Sequence, residues 1–81
     1  MVNSIAVSIE SLGSFHVRAD WVYFDDDETE YWEYEGNWPT ADVESLYEDF
    51  VTTTGITVKF AKFIKLFIVI SEAQKLVRHN Q

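Results

Sequence analysis

Residues 15–35 read FHVRADWVYFDDDETEYWEYE, and this stretch decides the fold. Apolar and polar residues alternate at both of its ends, which is the pattern of half-buried β-strands. The first end, residues 15–24, is predicted to be one strand with a wholly apolar face. That face consists of Phe15, Val17, Ala19, Trp21 and Tyr23.

A further strand is predicted over residues 29–35. Trp32 and Tyr34 are expected to join the core. The opposite side is expected to face solvent and consists of Tyr31, Glu33 and Glu35. The acidic run at residues 25–28 is too highly charged to be buried, so we expect a loop between the two strands.

Upstream, residues 4–10 alternate in the same way, and Ile5, Val7 and Ile9 form the predicted inward side. A short turn around Gly13 separates them from the next strand. Two consecutive short connections favour an antiparallel meander, because parallel strands need long crossovers. The sequence therefore predicts three antiparallel strands.

The next segment has the spacing of an amphipathic helix. Thr40 is the predicted N-cap, and Gly55 is the predicted C-cap. At about 100° per residue, five residues share an apolar arc, with acidic residues on the other side. These five are Val43, Leu46, Tyr47, Phe50 and Val51.

The last segment, 57–79, favours a second helix capped by Thr57, with a kink or break near Ser71. Residues 66–70 are rich in β-branched and aromatic types, so a strand remains an alternative for 57–70. A helix with apolar residues on nearly its whole circumference must be buried on several sides, which predicts a homodimer. The chain is thus expected to be a single α+β domain over residues 1–81, ordered β-β-β-α-α.

Charge is distributed unevenly along the chain. Fourteen acidic and six basic residues give a net charge of −8, and there is no cysteine. Residues 20–49 hold 12 of the acids and no Lys or Arg. Direct binding to nucleic acid is not expected, because such binding depends on Lys and Arg neutralising phosphates.

No residue pattern indicates an enzyme, a cofactor or a metal site. The two histidines, His16 and His79, lie far apart in the chain, and the three glycines stand alone. An EF-hand calcium loop starting at Asp25 would need Gly at position 30 and Glu at position 36, but these are Glu30 and Gly36. The longest apolar run, 66–70, is too short to span a membrane. A cytoplasmic, non-catalytic protein is expected.

The acidic field and its aromatic neighbours are the candidate binding site. Charged residues next to exposed aromatic anchors are typical of protein interfaces. The predicted partner-binding residues are Asp25, Asp26, Asp27, Glu28, Glu30, Tyr31, Glu33, Glu35 and Trp38. The outer side of the first helix is expected to add Asp42, Glu44, Glu48 and Asp49. The alternative is that the acids only promote solubility.

In its small size, lack of cysteine and acidic stretch 20–49, the chain resembles DNA mimics and anti-defence proteins of bacteriophages and mobile elements, such as anti-restriction and anti-CRISPR proteins. The resemblance implies an inhibitor that occupies the basic surface of a nucleic-acid-binding protein, in the host cytoplasm. The alternative function is a small regulatory or assembly domain that binds a partner, or itself, through the apolar segment 56–70.

Overall fold

The computed structural model describes residues 3–25 and 31–80. Four antiparallel strands form one sheet in chain order, and they are β1 (Ser4–Ile9), β2 (Gly13–Arg18), β3 (Trp21–Asp25) and β4 (Tyr31–Glu35). A short 3-10 helix (Trp38–Thr40) leads to the α-helices α1 (Val43–Thr54) and α2 (Phe60–His79). The predicted α+β meander followed by two helices is confirmed, but the sheet has four strands rather than three.

The extra strand arises because the long predicted second strand is a hairpin. Only Ala19-Asp20 connects β2 to β3. A two-residue turn reverses the chain and inverts the alternation that follows, so Val22 and Phe24 point inward and are fully buried. The predicted inward orientation of Trp21 and Tyr23 is therefore wrong, since these two side chains lie on the opposite face of β3.

The core lies between the inner face of the sheet and the two helices. Phe50 of α1 occupies its centre, and its ring centroid is 5.9, 5.1 and 5.3 Å from those of Phe15, Phe24 and Trp32. Helix α2 adds a buried row that includes Phe63, Leu66, Ile70 and Val77. The predicted inward side of β1 is confirmed, since its half-buried residues pack against this core: Ile5, Val7 and Ile9.

Helix α1 begins at Val43 with Asp42 as its N-cap, whereas Thr40 ends the preceding 3-10 helix. The predicted N-cap was therefore wrong. The predicted end is confirmed, because Gly55 is the C-cap in the left-handed conformation with φ 74°. The predicted apolar arc is also confirmed, and its residues are buried or half-buried: Val43, Leu46, Tyr47, Phe50 and Val51.

Helix α2 runs without interruption from Phe60 to His79, so residues 60–70 are helical rather than a strand. Its N-cap is Lys59, not Thr57, and Ser71 lies buried inside the continuous helix without a break. Within the described part of the chain, no helix is both long enough and apolar enough to cross a membrane.

Gln74 is a fully buried polar residue on the inward side of α2. Its side-chain oxygen accepts a hydrogen bond from the backbone N–H of Trp38 at 2.8 Å. Its amide group donates to the backbone carbonyls of Arg18 at 3.0 Å and Gly36 at 2.9 Å. This one side chain therefore joins α2 to the end of β2 and to the segment that follows β4.

Candidate protein-binding face of the sheet

The two faces of the sheet have different surroundings. Both helices pack on the inner face, where the core lies, and the described chain places no helix over the other face. Because side chains alternate along each strand, three residues of every strand belong to this uncovered side. We call it the outer sheet face, and its residues are Ser4, Ala6, Ser8, Ser14, His16, Arg18, Trp21, Tyr23, Asp25, Tyr31, Glu33 and Glu35.

The strand register arranges these residues in rows across β2, β3 and β4. The three rows are Arg18-Trp21-Glu35, His16-Tyr23-Glu33 and Ser14-Asp25-Tyr31. Neighbouring strands are about 4.8 Å apart, and alternate residues of one strand are about 6.8 Å apart. Two of the rows therefore end in a glutamate on the edge strand β4, directly beside an aromatic residue of β3.

Aromatic side chains form a continuous strip across the outer sheet face. The ring of Tyr23 stacks on His16 with centroids 4.7 Å apart and an interplanar angle of 15°. It also lies 4.7 Å from the ring of Trp21 and 6.0 Å from that of Tyr31. The guanidinium of Arg18 lies 6.0 Å from the centroid of Trp21. Mutual packing holds these rings in place and leaves their outer surfaces available to a partner.

Tyr31 is the most accessible ring of the strip, with half of its surface (50%) exposed. The pKa of its phenol is raised above the usual 10.0, first by desolvation and then by electrostatic interaction with Glu33, Tyr23 and Asp25. The phenol thus lies within electrostatic reach of two carboxylates from two strands. An aromatic anchor and an anionic site therefore coincide at this end of the sheet.

The acidic side chains of the outer sheet face lie on β3 and β4, and Asp25, Glu33 and Glu35 are all exposed. Within residues 3–25 and 31–80, the one ion pair joins Lys75 and Glu72 on α2, with 3.7 Å between Nζ and Oε2. The carboxylates of the sheet are therefore not paired with lysine or arginine from the described chain. A surface of this kind favours a cationic partner.

Four of the predicted partner-binding residues, Asp26, Asp27, Glu28 and Glu30, lie outside the described residues. The structure brings four others, Asp25, Tyr31, Glu33 and Glu35, together on the outer sheet face.

Trp38 is the exception among the predicted binding residues. Its side chain is fully buried, so its predicted role as a surface anchor is wrong. The 3-10 helix that begins at this residue packs against α2 and directs the ring into the core. There the indole stacks on Phe67 with centroids 5.8 Å apart and meets Trp32 edge-on at 6.1 Å.

The acids of α1 divide into two groups. Asp42 caps the helix and accepts hydrogen bonds from the Glu44 backbone N–H at 3.2 Å and the Ser45 hydroxyl at 3.0 Å. Asp49 accepts a hydrogen bond from the indole N–H of Trp32 at 2.8 Å. Two of the four acids that the first helix was expected to add to the acidic field thus have structural partners. The remaining two, Glu44 and Glu48, are exposed.

Because Asp49 accepts a hydrogen bond from Trp32, we expect its replacement to lower stability more than the replacement of its exposed neighbour Glu48. Replacing Asp49 by Ala leaves a largely buried indole N–H without its acceptor, which should lower the free energy of unfolding by about 1–3 kcal/mol. The matched change, Glu48→Ala, removes the same charge at an exposed position and should cost no more than about 0.5 kcal/mol. Urea unfolding followed by tryptophan fluorescence measures both. Equal losses would contradict a structural role for Asp49.

Three residues of the aromatic strip are absent from the predicted binding site. The sequence predicts His16 on the solvent side of its strand without a binding role, and its prediction that Trp21 and Tyr23 face the core is wrong. The available signal was Asp20, because a charged residue inside an apolar strand pattern is better placed in a turn. A turn there would have moved both aromatic residues to the outer face.

The described residues contain no group of three or more His, Asp or Glu side chains that could hold a metal ion.

In comparisons with known proteins, no family model, curated protein or solved structure matches this chain. The chemistry of the outer sheet face is therefore the basis for a functional assignment.

Proposed function

We propose that this chain is an acidic protein-protein interaction domain that inhibits a nucleic-acid-binding protein by occupying its basic surface, in the manner of a DNA mimic of the anti-restriction or anti-CRISPR type. One observation carries the proposal. The outer sheet face combines exposed carboxylates that have no basic partner in the described chain with a packed strip of aromatic rings.

Charge supplies the attraction in this proposal. Glu33 and Glu35 are alternate residues on one face of β4, so they are about 6.8 Å apart along the strand. Asp25 lies on the neighbouring strand, which extends the charges into two dimensions. Duplex DNA also presents a dense negative array, about one charge per 1.7 Å of helix axis. A surface built to receive phosphates is attracted to either array.

The aromatic strip supplies shape and short-range binding energy. Surfaces that bind nucleic acid are rich in Arg and Lys, and both cations bind over the faces of tyrosine and tryptophan rings. Tyr31 and Tyr23 present such faces beside Glu33, so one arginine of the partner can pair with the carboxylate while it covers a ring. This arrangement supports a binding surface over acids that merely promote solubility.

Affinity capture from bacterial lysates tests the proposal. The tagged protein is incubated with nuclease-treated lysate at about 50 mM and about 500 mM salt, because screening weakens attraction between exposed charges. We expect nucleic-acid-binding proteins to be captured at low salt and released at high salt. Capture that lacks such proteins, or that is unchanged by salt, would contradict the proposal.

A further inference from the structure

Helix α2 has an outward apolar stripe in addition to its buried side. Four large aliphatic residues are exposed there, with exposed fractions of 36% for Ile64, 56% for Ile68, 50% for Val69 and 57% for Leu76. The sheet covers only the opposite side of the helix, where Phe63 and its neighbours lie. A group of exposed aliphatic residues on one helix is typical of a protein interface.

The charges within this stripe are self-complementary. Ile68 and Val69 lie at the middle of the stripe. Lys65 and Glu72 are equally far from this middle, because Lys65 lies three residues before Ile68 and Glu72 lies three residues after Val69. A second helix running in the opposite direction about this point places each Lys65 opposite the partner's Glu72. The arrangement forms two equivalent ion pairs around an aliphatic centre, and each Glu72 then lies between Lys75 of its own helix, at 3.7 Å, and the partner's Lys65. In a parallel pair, the same lysines would face each other.

The remaining residues fit the same arrangement. Ala61 lies seven residues before Ile68 and Leu76 lies seven after Val69, so the large side chain of one helix meets the small side chain of the other. Lys62 and Lys75 are 13 residues apart, which is about 140° around the helix, so they lie on opposite flanks and do not meet. The 20 residues of α2 span about 30 Å, enough for an extended antiparallel contact.

We propose that the outward stripe of α2 is the interface of a symmetric homodimer in which two α2 helices pack antiparallel. This goes beyond the proposed function and does not depend on it. Since α2 lies on the inner side of its own sheet, the two outer sheet faces of the dimer point away from each other. The dimer therefore offers two copies of the candidate binding face, each free for a separate partner.

Light scattering coupled to size-exclusion chromatography tests the dimer with the full chain. At about 100 µM protein, where even weak specific dimers form, we expect twice the chain mass of 9.4 kDa. Ile68→Glu places two carboxylates near the symmetry axis and should yield monomers. Ile68 is exposed, so the circular dichroism spectrum should not change. A wild-type monomer, or an Ile68→Glu dimer of unchanged affinity, would overturn the proposal.

Charge exchange tests the antiparallel register. Lys65→Glu alone and Glu72→Lys alone should each weaken dimerisation about tenfold or more, because each places like charges opposite one another. The double variant Lys65→Glu/Glu72→Lys restores opposite charges and should return to within about threefold of wild type. A double variant as weak as the single variants would overturn this register. Glu33→Lys/Glu35→Lys changes the outer sheet face and should leave the dimer intact.

Discussion

Replacing Glu33 and Glu35 together by lysine should weaken binding to a basic partner by about 100-fold or more, since like charges facing each other across an interface cost several kcal/mol. Both side chains are exposed, on the same face of β4, and outside any ion pair of the described chain. The change converts local attraction into local repulsion beside the aromatic strip. Affinity for the captured partner can be measured by isothermal titration calorimetry.

The matched control is Glu44→Lys/Glu48→Lys on α1. Each double variant shifts the net charge from −8 by +4, to −4, and each alters two exposed glutamates. The α1 variant should weaken binding only a few-fold, because it changes the overall electrostatic field of the protein but not the contact surface. Both should keep the wild-type unfolding free energy within about 0.5 kcal/mol. Equal losses of affinity would show that net charge, rather than the outer sheet face, governs binding.

Gln74→Leu should lower the free energy of unfolding by about 2–4 kcal/mol, the largest stability effect that we expect from an approximately volume-conserving change. The backbone N–H of Trp38 would lose its acceptor inside the core, and the carbonyls of Arg18 and Gly36 would lose a donor. Because leucine has nearly the volume of glutamine, the loss reflects unsatisfied polar groups and not a cavity. A small domain is stable by only about 5–15 kcal/mol, so this is a substantial fraction.

The control for Gln74 is Lys62→Leu, a polar-to-leucine change at an exposed position of the same helix. It should alter stability by no more than about 0.5 kcal/mol. Urea denaturation monitored by tryptophan fluorescence compares the two variants directly. If Gln74→Leu is as stable as Lys62→Leu, the bonds from Gln74 do not hold α2 to the sheet.

The hairpin between β2 and β3 shows where prediction from the sequence stops. Trp21 to Phe24 are four consecutive apolar residues, so alternation alone cannot decide which two face the core. The turn residues, Ala19 and Asp20, both have negative φ and therefore require neither Gly nor Asn. Asp20 is the turn signal at this point, and if it is instead placed on the solvent side of a strand, the chain is predicted to be one long strand and the aromatic strip of the outer face is misplaced in the core.

Other parts of the fold follow directly from local patterns. The apolar arc of α1 and its C-cap at Gly55 were predictable, because helical spacing and a left-handed glycine depend on neighbouring residues only. The solvent-facing side of β4 was predictable from the alternation around Trp32. The bonds of Gln74 join residues 36 to 56 positions apart in the chain, and the burial of Trp38 likewise depends on contact with α2. No local pattern reports such contacts.

Displacement of DNA is the most direct test of the proposed mimicry. A fluorescent duplex is bound to the captured partner, and its anisotropy is followed while the wild-type protein is added. Occupation of the nucleic-acid site predicts that the anisotropy falls to the value of free DNA, whereas Glu33→Lys/Glu35→Lys leaves it unchanged over the same range. A ternary complex, in which the duplex stays bound at saturating protein, would contradict occupation of that site by the outer sheet face.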